Sequence, residues 1–123
     1  MKKRAFTLVE LLVVIAVIGT IIAFAYPTTS RFSSQINLNN GAKELVSTLR
    51  ANQAKAISRR ESVALDTATY RLLGDIKAIN DKRITFSPSG FPTVGGSGTI
   101  ILQNRFGQTK SIVVSSIGRV RIE

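Results

Sequence analysis

Cysteine and histidine are both missing from this chain of 123 residues. Without cysteine there are no disulfides and no thiolate nucleophiles. Without histidine there is no imidazole for acid–base work, and Cys/His zinc sites are excluded as well. Carboxylates are scarce: Asp and Glu total 7 against 17 Lys and Arg, a formal net charge of +10. Of these acids, Asp66, Asp75 and Asp81 fall in a stretch that reads as loop, where nothing fixes a working separation for paired carboxylates. No catalytic residue, metal ligand or cofactor is therefore expected, and the chain does not read as an enzyme. Strand–helix alternation is lacking, which argues against a parallel α/β fold. Gly95-Gly96-Ser97-Gly98 lacks a Gly-Lys-Ser/Thr ending and opens no helix, so it reads as a hairpin or loop, not a phosphate cradle.

What is present begins with Lys2, Lys3 and Arg4, a short basic head. An apolar run from Phe6 to Tyr26 follows, with Glu10 as its one charge. Its length matches the roughly 20 residues that cross a bilayer core. A cleaved secretory signal has a shorter apolar core, and Ala23-Phe24-Ala25 is a poor cleavage site for one. A buried core helix is amphipathic, whereas this run is apolar all round. The membrane helix is the preferred reading, with Pro27 expected to kink or break it. The positive-inside rule places the basic head in the cytoplasm and the rest of the chain outside it. A carboxylate inside such a helix costs about 2.5–3.5 kcal/mol at the centre and less near an end. Glu10 thus either sits near the interface or has a cationic partner from another chain.

The stretch KKRAFTLVELLVVIAVIGTIIA resembles the class III signal of type IV prepilins and type II secretion pseudopilins. The match lies in the basic leader, a small residue, Phe, Thr-Leu-Val-Glu and an apolar helix. The resemblance implies that a prepilin peptidase cuts between Ala5 and Phe6 and that Phe6 is then N-methylated. It also implies that Glu10 neutralises the N-terminal amine of a neighbouring subunit during filament assembly. The family usually carries Gly before the cut, where this chain has Ala5. Losing the leader removes three cations, leaving 17 − 3 = 14 basic residues against 7 acids. The basic excess therefore belongs to the body of the chain.

Residues 32–60 show helical spacing, with Leu38, Ala42, Leu45, Val46, Leu49, Ala56 and Ile57 on one face. This stripe is expected to dock on a sheet, and Asn39-Asn40-Gly41 is a point where the helix could be interrupted. The charged residues Lys43, Glu44, Arg50, Lys55, Arg59 and Arg60 read as a solvated surface. Beyond Arg60 the period changes. Short strands are expected at 62–66, 83–86, 99–103, 110–115 and 119–122. Turn signals separate them at Pro88-Ser89-Gly90, Gly95-Gly96-Ser97-Gly98, Arg105-Phe106-Gly107-Gln108 and Ile117-Gly118. The expected fold is α+β: a long N-terminal helix packed on a small antiparallel sheet or sandwich. The expected divisions are a leader at 1–5, a transmembrane or filament-core helix at 6–29, its amphipathic continuation at 30–60 and a β-rich head at 61–123.

The segment ITFSPSGFPTVGGSGTIILQN and the later KSIVVSSIGRVRI resemble the C-terminal half of the GspH/FimT family of minor pilins and pseudopilins. The shared features are the Phe86-x-Pro88-x-Gly90 turn, the Gly98-Thr99-Ile100 strand start and the closing Gly118-Arg119 pair. In an extended strand alternate residues share a face. Arg119 and Arg121 would then point outward together, about 7 Å apart, which is close to the phosphate spacing of one nucleic-acid strand. Two guanidinium forks side by side can hold phosphates bidentately. Gly118 would let the backbone turn closely and offer its own N–H. Edge strands also carry charge simply to block pairing with other chains.

Gly118-Arg119-Val120-Arg121 matches the Gly-Arg-x-Arg motif of FimT-type minor pilins of natural transformation, where it is implicated in binding incoming DNA. Gly-Arg endings also occur in GspH-type pseudopilins. Residues 30–123 carry 14 basic and 6 acidic side chains, a difference of +8, which attracts polyanions without sequence preference. Arg105 and Lys110 are further candidate phosphate contacts, with Arg83 a weaker one. No helix-turn-helix, zinc finger or aromatic stacking platform supports sequence-specific binding. Two readings follow from the resemblance. One is a minor pilin of the bacterial inner membrane, later built into a filament, that binds double-stranded DNA for uptake. The other is a structural pseudopilin of the type II protein secretion system. Expected partners are other pilin subunits, the prepilin peptidase, the membrane and, in the first reading, DNA.

Overall fold

The computed structural model describes residues 7–70, 72 and 74–123. The leader cut and methylation expected at Ala5 and Phe6 lie outside the described residues. One helix, α1 (Leu8–Arg59), is followed by six strands: β1 (Val63–Asp66), β2 (Lys77–Ala78), β3 (Arg83–Phe86), β4 (Gly98–Gln103), β5 (Thr109–Val114) and β6 (Val120–Ile122). The chain divides into two compact units, Met1–Ser33 and Ser34–Glu123.

In the first unit, Thr7 caps α1. Its Oγ1 accepts the Glu10 N–H at 3.3 Å, which gives Thr-Leu-Val-Glu the spacing of a capping box. Glu10 also lies in the first turn, where the helix dipole favours an anion. Residues 7–26 are exposed throughout. The best 18-residue window of α1 has a mean hydropathy of 2.8 and none of it is buried. This helix is long and apolar enough to cross a membrane. The break expected at Pro27 does not occur, since the helix continues through that position. A proline removes one ladder bond, and the bonds before and after it carry the helix on. Hydroxyl groups in this region bond back to the helix, as Thr20 does to Val17 O and Thr29 to Ala25 O.

In the second unit, α1 supplies Leu38, Ala42, Leu45, Val46, Leu49 and Ala56 to a core shared with Ile76, Ile84, Phe86, Ile100, Leu102, Ile112, Val114 and Val120. Ile57, expected on the same stripe, is 52% exposed. The interruption expected at Gly41 is also absent. That glycine is buried, and a Cβ there would come within 2.6 Å of Ile76 Cδ1. It is a point of close approach, not a breaker. Helix α1 ends with Arg60 at φ 55°. The Glu61 N–H bonds to Ala56 O, so the helix closes in the manner of a Schellman turn with arginine in the usual glycine position.

The strands form two antiparallel sheets, β1-β3 and β2-β4-β5-β6. Asp66, read among the loop carboxylates yet inside the strand expected at 62–66, is the last residue of β1 and pairs in register with Arg83. Three corners share one construction. Ser87–Phe91, Asn104–Gln108 and Ser115–Arg119 each close with two backbone hydrogen bonds around a glycine of positive φ: Gly90 (81°), Gly107 (79°) and Gly118 (80°). This is a type I turn followed by a left-handed residue, the usual three-residue hairpin connection. Gly95 and Gly96 form a turn with Thr93, and a Cβ on Gly96 would lie 3.1 Å from the Thr85 carbonyl oxygen. The Gly-rich stretch is therefore a packed turn. The architecture is α+β and type IV pilin-like.

Candidate functional site

The register of the four-stranded sheet decides which side chains meet. Ile112 and Val114 face the core from β5, and Val120 faces it from β6. Val113, Ser115, Arg119 and Arg121 therefore fall on the opposite, outer face. There Arg119 and Arg121 line one shallow cleft with Val113, Ser115 and Ile117. Both guanidinium groups belong to exposed residues, and Ile117 beside them is 68% exposed.

The segment that carries these arginines is braced from the other side by α1. Gln53 Nε2 donates to Gly90 O at 2.7 Å and to Gly118 O at 3.1 Å. Arg50 donates to Val120 O at 3.2 Å. Gly118 fits only as glycine, since a Cβ would lie 2.7 Å from Gly90 O and 2.6 Å from Gln53 Nε2. Its N–H is bonded to Ser115 O at 2.9 Å. The donor that the sequence reading assigned to a ligand is thus used within the turn.

Arg121 carries a neighbour that sequence reasoning overlooked. Its guanidinium forms an ion pair with Glu123 Oε1 at 2.6 Å, and both side chains are more than half exposed. Such surface pairs contribute little to stability, about 0–1 kcal/mol. A phosphate arriving at Arg121 must nonetheless compete with a carboxylate already in place.

The other candidate contacts do not gather at this cleft. Lys110 lies opposite Leu102 in register and shares its core-side face, away from Arg119 and Arg121. Arg105 sits at the β4–β5 corner, where it pairs with Asp75 at 3.3 Å and covers the Phe106 ring at 4.9 Å. Arg83 belongs to the smaller sheet. Two of the three aspartates are engaged: Asp75 with Arg105, and Asp66 with the Ala68 N–H at 3.0 Å. Arg50 and Gln53 escaped the sequence reading because their partners are backbone carbonyls more than thirty residues away. No periodic signal marks such a bond.

Comparison with known proteins bears on both ends of this description. Residues 1–26 match the prokaryotic N-terminal methylation motif. Over their full lengths, the chain and the pilin-like protein PilA1 of Thermus thermophilus are 24% identical. No solved structure matches the chain. The methylation motif and the apolar helix fit membrane anchoring and entry into a pilus. The chain is thus similar to pilin-like proteins in its N-terminal motif and, at low identity, over its length.

Proposed function

We propose that this protein is a minor pilin subunit of a type IV filament that binds double-stranded DNA without sequence preference during natural transformation. The observation that carries this reading is the cleft in which Arg119 and Arg121 stand on one face, held from behind by Arg50 and Gln53. Two guanidinium groups on one face offer forked donors to successive phosphates, and the basic excess draws a polyanion toward them. Arg105, Lys110 and Arg83 act at most as distant contacts, because each lies on another face or corner of the unit.

In this reading the leader is removed between Ala5 and Phe6 in the bacterial inner membrane, with the sheet-bearing unit outside the cytoplasm. The Glu10 carboxylate has no partner among the described residues, which suits a role in receiving the new terminal amine of a neighbouring subunit. The prepilin peptidase and other pilins are its partners.

A second reading is favoured by the Arg121–Glu123 pair and by exposed Ile117. A half-neutralised, partly apolar cleft also suits contact with protein, as in a structural pseudopilin of type II secretion. A gel-shift titration of the detergent-solubilised chain with double-stranded DNA at rising salt separates the two. The DNA reading expects binding that weakens with salt and largely disappears in Arg119→Ala/Arg121→Ala. Equal binding by the wild type and the double variant, or none by either, favours the pseudopilin.

A further inference from the structure

Strand β6 is the last strand of its sheet, and among the described residues no strand lies beside its outer edge. The hydrogen-bonded pairs with β5 are Ser111 with Glu123 and Ser115 with Arg119, with Val113 and Arg121 between them. By alternation, the N–H and C=O groups of Val120 and Ile122 point away from β5. Val120 O is taken by Arg50. Among the described residues, the backbone of Ile122 has no partner. Facing this edge is α1, and the groove between them is lined by Lys43, Val46, Ser47, Arg50, Arg121 and Ile122. Its floor is apolar and its rim cationic. Arg121 is paired with Glu123, but Lys43 and Arg50 are in no ion pair among the described residues.

We propose that this groove receives an extended, acidic peptide segment of a partner protein, which adds to the sheet as a strand beside β6. The free N–H and C=O of Ile122 call for a ligand that both accepts and donates along its backbone. A peptide does so, whereas a phosphodiester backbone has no donor for the carbonyl. Lys43 and Arg50 lie seven residues apart on α1, about 10 Å along the axis, or about three extended residues. Carboxylates on alternate residues of the incoming strand share one face about 7 Å apart, and the long side chains of Lys43 and Arg50 span the remaining few ångströms. A second copy of this chain is a poor occupant, because its own β6 and the residue before it would bring Arg121 and Arg119 against Arg121 and Lys43. The proposal concerns the sheet edge and shares only Arg121 with the outer-face cleft proposed for DNA.

The test uses the full chain in detergent micelles and a fluorescent eight-residue peptide alternating valine and glutamate, followed by anisotropy. Its controls are the same peptide with lysine for glutamate and with proline for valine. Wild type is expected to bind the acidic peptide only. Lys43→Glu, an exposed position, should weaken binding at least tenfold. Ile122→Pro should do the same while leaving the β5–β6 ladder intact, because the lost N–H points outward. An unchanged thermal unfolding midpoint confirms that each variant is folded. Protection of the Ile122 amide from hydrogen exchange on peptide addition would locate the strand. Absence of binding, or binding of the acidic peptide that ignores Ile122→Pro, overturns the proposal. So does displacement of the peptide by a DNA duplex whose own binding falls in Ile122→Pro, since the groove then belongs to nucleic acid.

Discussion

The side-chain amide of Gln53, near the C-terminal end of the helix that backs the sheet, reaches the carbonyl oxygen of Gly118 at 3.1 Å. The same nitrogen serves Gly90 at 2.7 Å. One side chain thus ties two corners of the sheet unit to the helix. Gln53→Ala leaves both carbonyls without this donor. We expect a loss of about 1–3 kcal/mol, seen as a lower unfolding midpoint. DNA binding should also weaken although no charge has changed, because the segment carrying Arg119 and Arg121 loses its brace.

Two glycines of nearly equal φ separate backbone strain from crowding. Gly118→Ala introduces a Cβ at φ 80° that would lie 2.7 Å from the Gly90 carbonyl. Gly107→Ala introduces one at φ 79° with nothing nearer than 4.0 Å. The second should cost only the left-handed conformation, about 1–2 kcal/mol. Gly118→Ala should cost clearly more, because the backbone atom it meets cannot step aside. Urea unfolding of the two variants side by side measures the difference.

Arg60 holds φ 55° at the end of α1, where helices generally place glycine. Arg60→Gly relieves that strain and should stabilise the sheet unit by about 0.5–1 kcal/mol. A higher urea midpoint with an unchanged slope is the expected result.

Glu10 combines two roles that substitution can separate. Its backbone N–H is capped by Thr7, and this bond survives Glu10→Gln. Thr7→Val removes the cap and keeps the carboxylate. If the carboxylate serves assembly, Glu10→Gln should insert in the membrane normally yet enter filaments poorly, while Thr7→Val enters well. Quantifying each variant in sheared filament and membrane fractions decides between them, and the reverse pattern would assign the effect to helix capping.

Glu123 occupies Arg121 at 2.6 Å. Glu123→Gln should therefore tighten DNA binding several-fold and steepen its decline with salt, since one more cation becomes available to phosphate. A titration at two salt concentrations reads both effects.

Much of this arrangement could be read from the sequence. The stripe from Leu38 to Ala56 marks the buried face of the helix, and the glycine punctuation locates the corners. The alternation of Val120 with its flanking arginines gives their common face. Lys110 was legible too, since it shares parity with Ile112 and Val114. Other features left no local trace. Strand β2 is two residues long, too short to show a period. Gly41 looks like a helix breaker until Ile76 is seen against it. The helix end, by contrast, is legible: the period changes after Arg60, and α1 ends at Arg59. Gln53 and Arg50 act on carbonyls distant in sequence, so only the folded chain reveals them.

The repeated corner design sets where this surface can vary. Each of the three hairpin connections fixes its length and hand through a single glycine and two backbone bonds. The residues before that glycine, Arg105 and Phe106 at one corner and Ser116 and Ile117 at another, are exposed. Their chemistry can be exchanged without shifting the register of any strand. Chains built on this frame could therefore present different tips while the frame stays unchanged, and selection for a new partner would act on the corners before it touched the sheet.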